Sequence, residues 1–135
     1  TEIIIFIPLI AAMGGNVGIQ SSALVVQGIA NQSLSGTILS KLFKELGVGI
    51  VNGLLCGILL FLVNVLIGKT FDYSFAVSIS LISVIIFAAV FGTWIPLFFN
   101  KIKIDPALAT GPFITTANDI FGLFLYFYIC KILIT

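Results

Sequence analysis

Four long stretches of the chain are apolar on every face, and the polar positions that interrupt them are bunched rather than alternating. The first runs from about Ile3 to Ile29, with Pro8 and the Gly14-Gly15-Asn16 cluster breaking its regularity. A polar stretch, Asn31 to Ser35, leads into a mildly amphipathic segment from Thr37 to Glu45, expected to lie near a membrane interface. A second apolar run covers about 46–67, and the short loop Gly68 to Tyr73, holding Lys69 and Asp72, precedes a third at about 75–99 with Pro96 near its end. After Asn100 to Asp105, Pro106 suits the first turn of a last helix over about 106–134.

A helix rising about 1.5 Å per residue needs roughly 20 apolar residues to cross a hydrocarbon layer about 30 Å thick. Membrane-spanning strands would instead alternate apolar and polar residues over about 10 positions. The pattern therefore predicts an all-α integral membrane protein, a bundle of four transmembrane helices with short connections and antiparallel neighbours.

Composition sharpens this picture. Of 135 residues, 60% are hydrophobic and 8% charged, against roughly 25% charged in soluble domains, and the mean hydropathy is +1.29. The basic residues are scattered lysines and the net charge is +1, so nucleic acid has no electrostatic footing. Cys56 and Cys130 sit in apolar runs without histidine or a CxxC spacing, which argues against a disulfide framework or a soft-metal site. Lys41, Lys44, Lys101 and Lys103 fall on one side of the four-span scheme and Lys69 and Lys131 on the other. The segments 31–45 and 100–105 are thus expected in the cytoplasm and both ends of the chain outside. The chain begins with Thr1 and reads as a piece of a longer protein. Gly49, Gly53 and Gly57 form a stripe at i, i+4 and i+8 that lets another helix approach.

Asp119 is the ionisable group deep within a span, roughly 21 Å along a helix from Asp105 and roughly 24 Å from Thr135, near the bilayer midplane. An unpaired carboxylate there costs on the order of 2.5–3.5 kcal/mol, and no lysine, arginine or histidine reaches it. Two readings stand: a cation that comes and goes supplies the counter-charge, or a protonated Asp119 bonds a neighbouring helix. Thr115, Asp119, Gly122 and Tyr126 recur at helical spacing beside Asn118, which suggests an oxygen-rich, open face. Gly111, Pro112 and Gly122 are expected to relax the helix and free carbonyls. Asn16, Gln20, Ser21 and Ser22 bring a second polar cluster to a similar depth. Carboxylate, amide and carbonyl oxygens without thiolate or imidazole describe a hard-cation site, with Mg2+ the best candidate. Asp105 is either an entrance site for the ion or a helix cap. No nucleophile–base arrangement, P-loop or metal-hydrolase motif is present, so an enzyme is not expected.

The stretch from Pro8 to Gln20, PLIAAMGGNVGIQ, and that from Asp105 to Gly122, DPALATGPFITTANDIFG, resemble the transmembrane domain of the MgtE magnesium channel family. The resemblance covers nearly the whole chain. It implies that these spans are the second to fifth of five helices, the first being missing. It also implies a homodimer whose ion path runs along the subunit interface. By motif, Asp119 looks like the central Mg2+-selecting acid, aided by the Thr115 backbone carbonyl, with Asn16 in the pore lining. The family often has a small apolar residue where this chain has Thr115; a carbonyl ligand survives that change. From the residue pattern itself, Gln20, Gly111, Asn118 and Gly122 join the candidate lining, and Asp105 is the candidate cytosolic entrance. The family's Mg2+-sensing cytosolic region lies outside this sequence, so the piece is expected not to close in response to cytosolic Mg2+.

The expected partners are Mg2+ as transported ion, the lipid bilayer and a second copy of the chain. A proton- or sodium-coupled divalent cation carrier and a structural membrane assembly module are the competing readings.

Overall fold

A computed structural model describes residues 2–32 and 38–134. A short 3-10 turn, Glu2–Phe6, opens into α1 (Ile7–Ala30), followed by α2 (Ile38–Leu66) and α3 (Phe71–Lys101). A second 3-10 turn, Pro106–Ala109, precedes α4 (Pro112–Ile134). Four helices among the described residues are long and apolar enough to cross a membrane, and the chain is a multi-pass membrane protein built as an all-α bundle.

Three details differ from the sequence expectation. Helix α1 is continuous through Gly14-Gly15-Asn16, because Pro8 sits in its first turn, where the missing N–H leaves no hydrogen bond unmade. Residues 38–45 form no separate interfacial helix but continue into α2; Thr37 and much of the polar stretch before it lie outside the described residues. Pro106 does not start the last helix. Asp105 Oδ1 accepts a hydrogen bond from the Ala107 N–H at 3.0 Å and caps the 3-10 turn. Gly111, with φ +58°, then reverses the chain into α4, a conformation that favours glycine.

Helix α3 is the most deeply buried element and packs against each of the other three. The glycine stripe of α2 meets it: a Cβ on Gly49 would stand 3.1 Å from Ala89 Cβ, and one on Gly57 2.5 Å from Ile82 Cγ1. That stripe thus seats α2 on α3 within one chain. On the other flank Gly92 of α3 lies against the Gly18 backbone of α1. Val84 fills the space between Gly14 and Gly122. Ile10, Leu81, Ile85, Tyr126 and Cys130 complete the core around it.

One end of the bundle is drawn together by polar contacts. Lys69 Nζ pairs with Glu2 at 3.0 Å, the Tyr73 hydroxyl donates to the Glu2 carbonyl at 3.0 Å, and the Tyr126 hydroxyl donates to the Ile3 carbonyl at 2.6 Å. Tyr126 is fully buried, so Tyr126→Phe removes a sheltered hydrogen bond to the Ile3 carbonyl. The expected loss is about 1–2 kcal/mol in thermal unfolding, with the exposed Tyr128→Phe near zero as comparison.

Candidate cation site

Asp119 lies seven residues into α4, about 10 Å from its start and about 22 Å from its end. It is closer to one end of its helix than counting from Asp105 suggested, because residues 105–111 make a cap, a turn and a reversal instead of helical rise. The carboxylate is half-buried, and no hydrogen bond or ion pair engages it among the described residues. Beside it lies an almost wholly apolar recess of about 390 Å³, bordered by Asp119 with Ile120, Leu123, Phe124 and Phe127.

Thr115, one turn before Asp119, is half-buried against α1; a Cβ on Gly15 would meet its methyl at 3.7 Å. Asn118 packs on Gly18 in the same crossing. These two neighbours place the glycine-rich motif of α1 and the Thr115–Asp119 turn of α4 at one level of the bundle. Asn16 and Gln20, a turn apart, are exposed on the face of α1 that the rest of the fold leaves uncovered.

The open face expected through Thr115, Asp119, Gly122 and Tyr126 divides in two. Thr115 and Asp119 remain partly accessible, whereas Gly122 and Tyr126 turn into the core, the first against Val84 and the second toward Ile3. The helix is not relaxed at Gly122; α4 runs unbroken from Pro112, and the missing side chain serves close packing on α3. Asn118 likewise faces inward, 2% exposed, with neither amide atom hydrogen-bonded. Gly111 shapes the turn before α4, and Asp105 is exposed at its cap.

Among the described residues no three His, Cys, Asp or Glu side chains cluster into a metal cage. A cation at Asp119 therefore needs most of its six oxygens from water or from a second copy, which suits an ion that dehydrates reluctantly.

Residues 7–129 match a family model described as a divalent cation transporter, MgtE. The chain belongs to the MgtE family. A magnesium transporter MgtE of Bacillus subtilis is 37% identical over 90% of this chain and 27% of its own length. Its counterpart in Thermus thermophilus is 29% identical over 99% of this chain and 30% of its own length. The one in Enterococcus faecalis is 31% identical over 94% of this chain and 28% of its own length. The chain thus spans about three-tenths of the curated relatives it matches.

In this member of the MgtE family, sequence reasoning overlooked two contributors to the region. Phe124 and Phe127, five and eight residues beyond Asp119, wall its recess. Gly18 and Gly92 let α1 and α3 touch through their backbones. The Gly14-to-Gly18 spacing of i, i+4 was a legible signal for the α1 side; nothing along the chain singles out Gly92.

Proposed function

We propose that the chain is the pore-forming part of a Mg2+ pathway across the cell membrane, at the interface of a homodimer, with Asp119 as the central cation site. The observation that carries this reading is an unpaired, partly accessible carboxylate level with exposed amides on a neighbouring membrane helix. In a lone chain, Asn16 and Gln20 would face hydrocarbon, an unfavourable place for amides. A second copy laid across that face by two-fold symmetry encloses them and brings two Asp119 carboxylates near one axis.

Family membership and the named activity of the relatives favour Mg2+ as the cargo. Asp119 attracts the ion, the Thr115 carbonyl assists, and Asn16 and Gln20 offer neutral oxygens to its hydration shell. Gly111 sets the start of α4, while Asn118 and Gly122 act through its packing. With segments 31–45 and 100–105 in the cytoplasm, Asp105 stands at the inner mouth. No covalent step is required. Moving a divalent ion through 100 mV is worth about 4.6 kcal/mol, twice the figure for a unit charge, so an inside-negative potential drives entry.

The protein reconstituted with its flanking sequence is expected to pass Mg2+ into liposomes under an inside-negative potential alone. Uptake that demands a proton or sodium gradient would assign a coupled carrier instead.

A further inference from the structure

Helices α1 and α2 are separated by α3 along most of their length, yet a side-chain hydrogen bond joins them. The Ser21 hydroxyl donates to Glu45 Oε2 at 3.3 Å. Ser21 is 5% exposed and Glu45 half-buried, so the bond is sheltered from bulk water. It borders a recess of about 230 Å³ lined by Leu24, Val25, Lys41, Lys44, Glu45 and Thr93. Neither lysine comes within ion-pairing distance of the carboxylate among the described residues, and the Thr93 hydroxyl is committed to the Ala89 carbonyl at 2.9 Å. Ser21 is therefore the hydrogen-bond donor that engages Glu45 here.

Ser21 directly follows Gln20. Successive residues on a helix stand about 100° apart, so anchoring Ser21 sets the direction in which Gln20, and Asn16 one turn earlier, can point. Close to Ser21, α1 makes two near-backbone approaches, Gly18 on Gly92 and Gly15 near Thr115, flanked by the buried Ser22 and Val25. A glycine adds no side chain of its own to these contacts, so it restrains the rotation of its helix less than a larger residue would. The Ser21–Glu45 hydrogen bond, long at 3.3 Å, adds a directional restraint.

We infer that Glu45 and Ser21 form a positioning pair that holds α1 in the rotation presenting Asn16 and Gln20 to the cation path. Glu45 touches no ion; it acts through Ser21. The inference rests on the pathway reading above and adds a residue outside the path.

The test is Mg2+ uptake into liposomes by the protein with its flanking sequence, at fixed potential, for Ser21→Ala, Glu45→Ala, their double variant and Glu45→Gln. Each alanine change removes this long bond and should lower flux about three- to tenfold. The double variant should fall no further than either single one, since both remove the same bond. Glu45→Gln keeps an acceptor oxygen and should stay within about twofold of wild type. Additive losses, wild-type flux in both single variants, or a Gln variant as impaired as the alanine one overturn the pairing. Where Glu45→Ala fails to fold, Ser21→Ala, which removes one oxygen, and Glu45→Gln carry the same comparison. Asp119→Asn runs alongside: if it is inactive while the pair variants conduct fully, the pairing alone fails. If it conducts like wild type, the pathway reading fails with it.

Discussion

Asp119→Asn lowers Mg2+ flux about a hundredfold or more at a fixed inside-negative potential, while the assembly and its melting temperature stay near those of wild type. Two unit charges 4 Å apart interact by about 4 kcal/mol at an effective dielectric of 20, and a divalent ion doubles this. Hydration water between ion and carboxylate cuts the gain, and about 3 kcal/mol of it, two powers of ten in rate, is a fair remainder. Asparagine matches aspartate in shape, and no described partner of Asp119 is lost, so the packing of α4 has no reason to change. Liposome uptake, with size-exclusion and thermal unfolding on the same samples, separates the two properties. Undiminished flux would mean that Asp119 serves helix association instead.

Gly92→Leu prevents α1 from seating on α3. A Cβ at this position would stand 2.6 Å from the Gly18 carbonyl oxygen and 3.1 Å from Gly18 Cα. Both are backbone atoms, so no change of rotamer relieves the clash and the helices must move apart. Overpacking of this kind costs about 1–3 kcal/mol even for small additions, and a leucine exceeds that range. The displaced α1 carries Asn16 and Gln20, so flux falls together with stability. Gly47→Leu provides the comparison, since a Cβ there meets nothing within 4 Å and the side chain faces outward. Thermal unfolding in detergent should show a marked drop for the first variant and little change for the second. Equal melting of the two would contradict the Gly18–Gly92 contact.

Much of this was legible along the chain because a membrane simplifies the rules. Every backbone polar group within hydrocarbon must be satisfied internally, so long apolar runs translate directly into helices. Asp119 stood out for the same reason, as a charge where charges are costly. Periodicity was less informative about faces. Apolar residues cover all sides of these helices, so the pattern distinguishes poorly between a side packed on a neighbour and a side turned to lipid. The expected face through Gly122 and Tyr126 failed at that step: spacing put them beside Asp119, but the lean of α4 onto Val84 and the Tyr126–Ile3 hydrogen bond turned them inward. Counting residues from Asp105 as one helix misplaced the start of α4, because the positive φ of Gly111 ends one element and starts another within a few residues.

The sequence by itself determined the membrane class, the number of long helices and the glycine faces able to pack closely, and it singled out Asp119 as the carboxylate proposed to meet a cation, since each depends on local composition and helix geometry. Only the tertiary structure decided which glycines meet which partners, that Asn118 turns inward while Asn16 and Gln20 face out, and that Glu45 reaches Ser21. Those outcomes depend on the rotation and tilt of whole helices, which follow from packing among all four at once and leave no local mark on the chain.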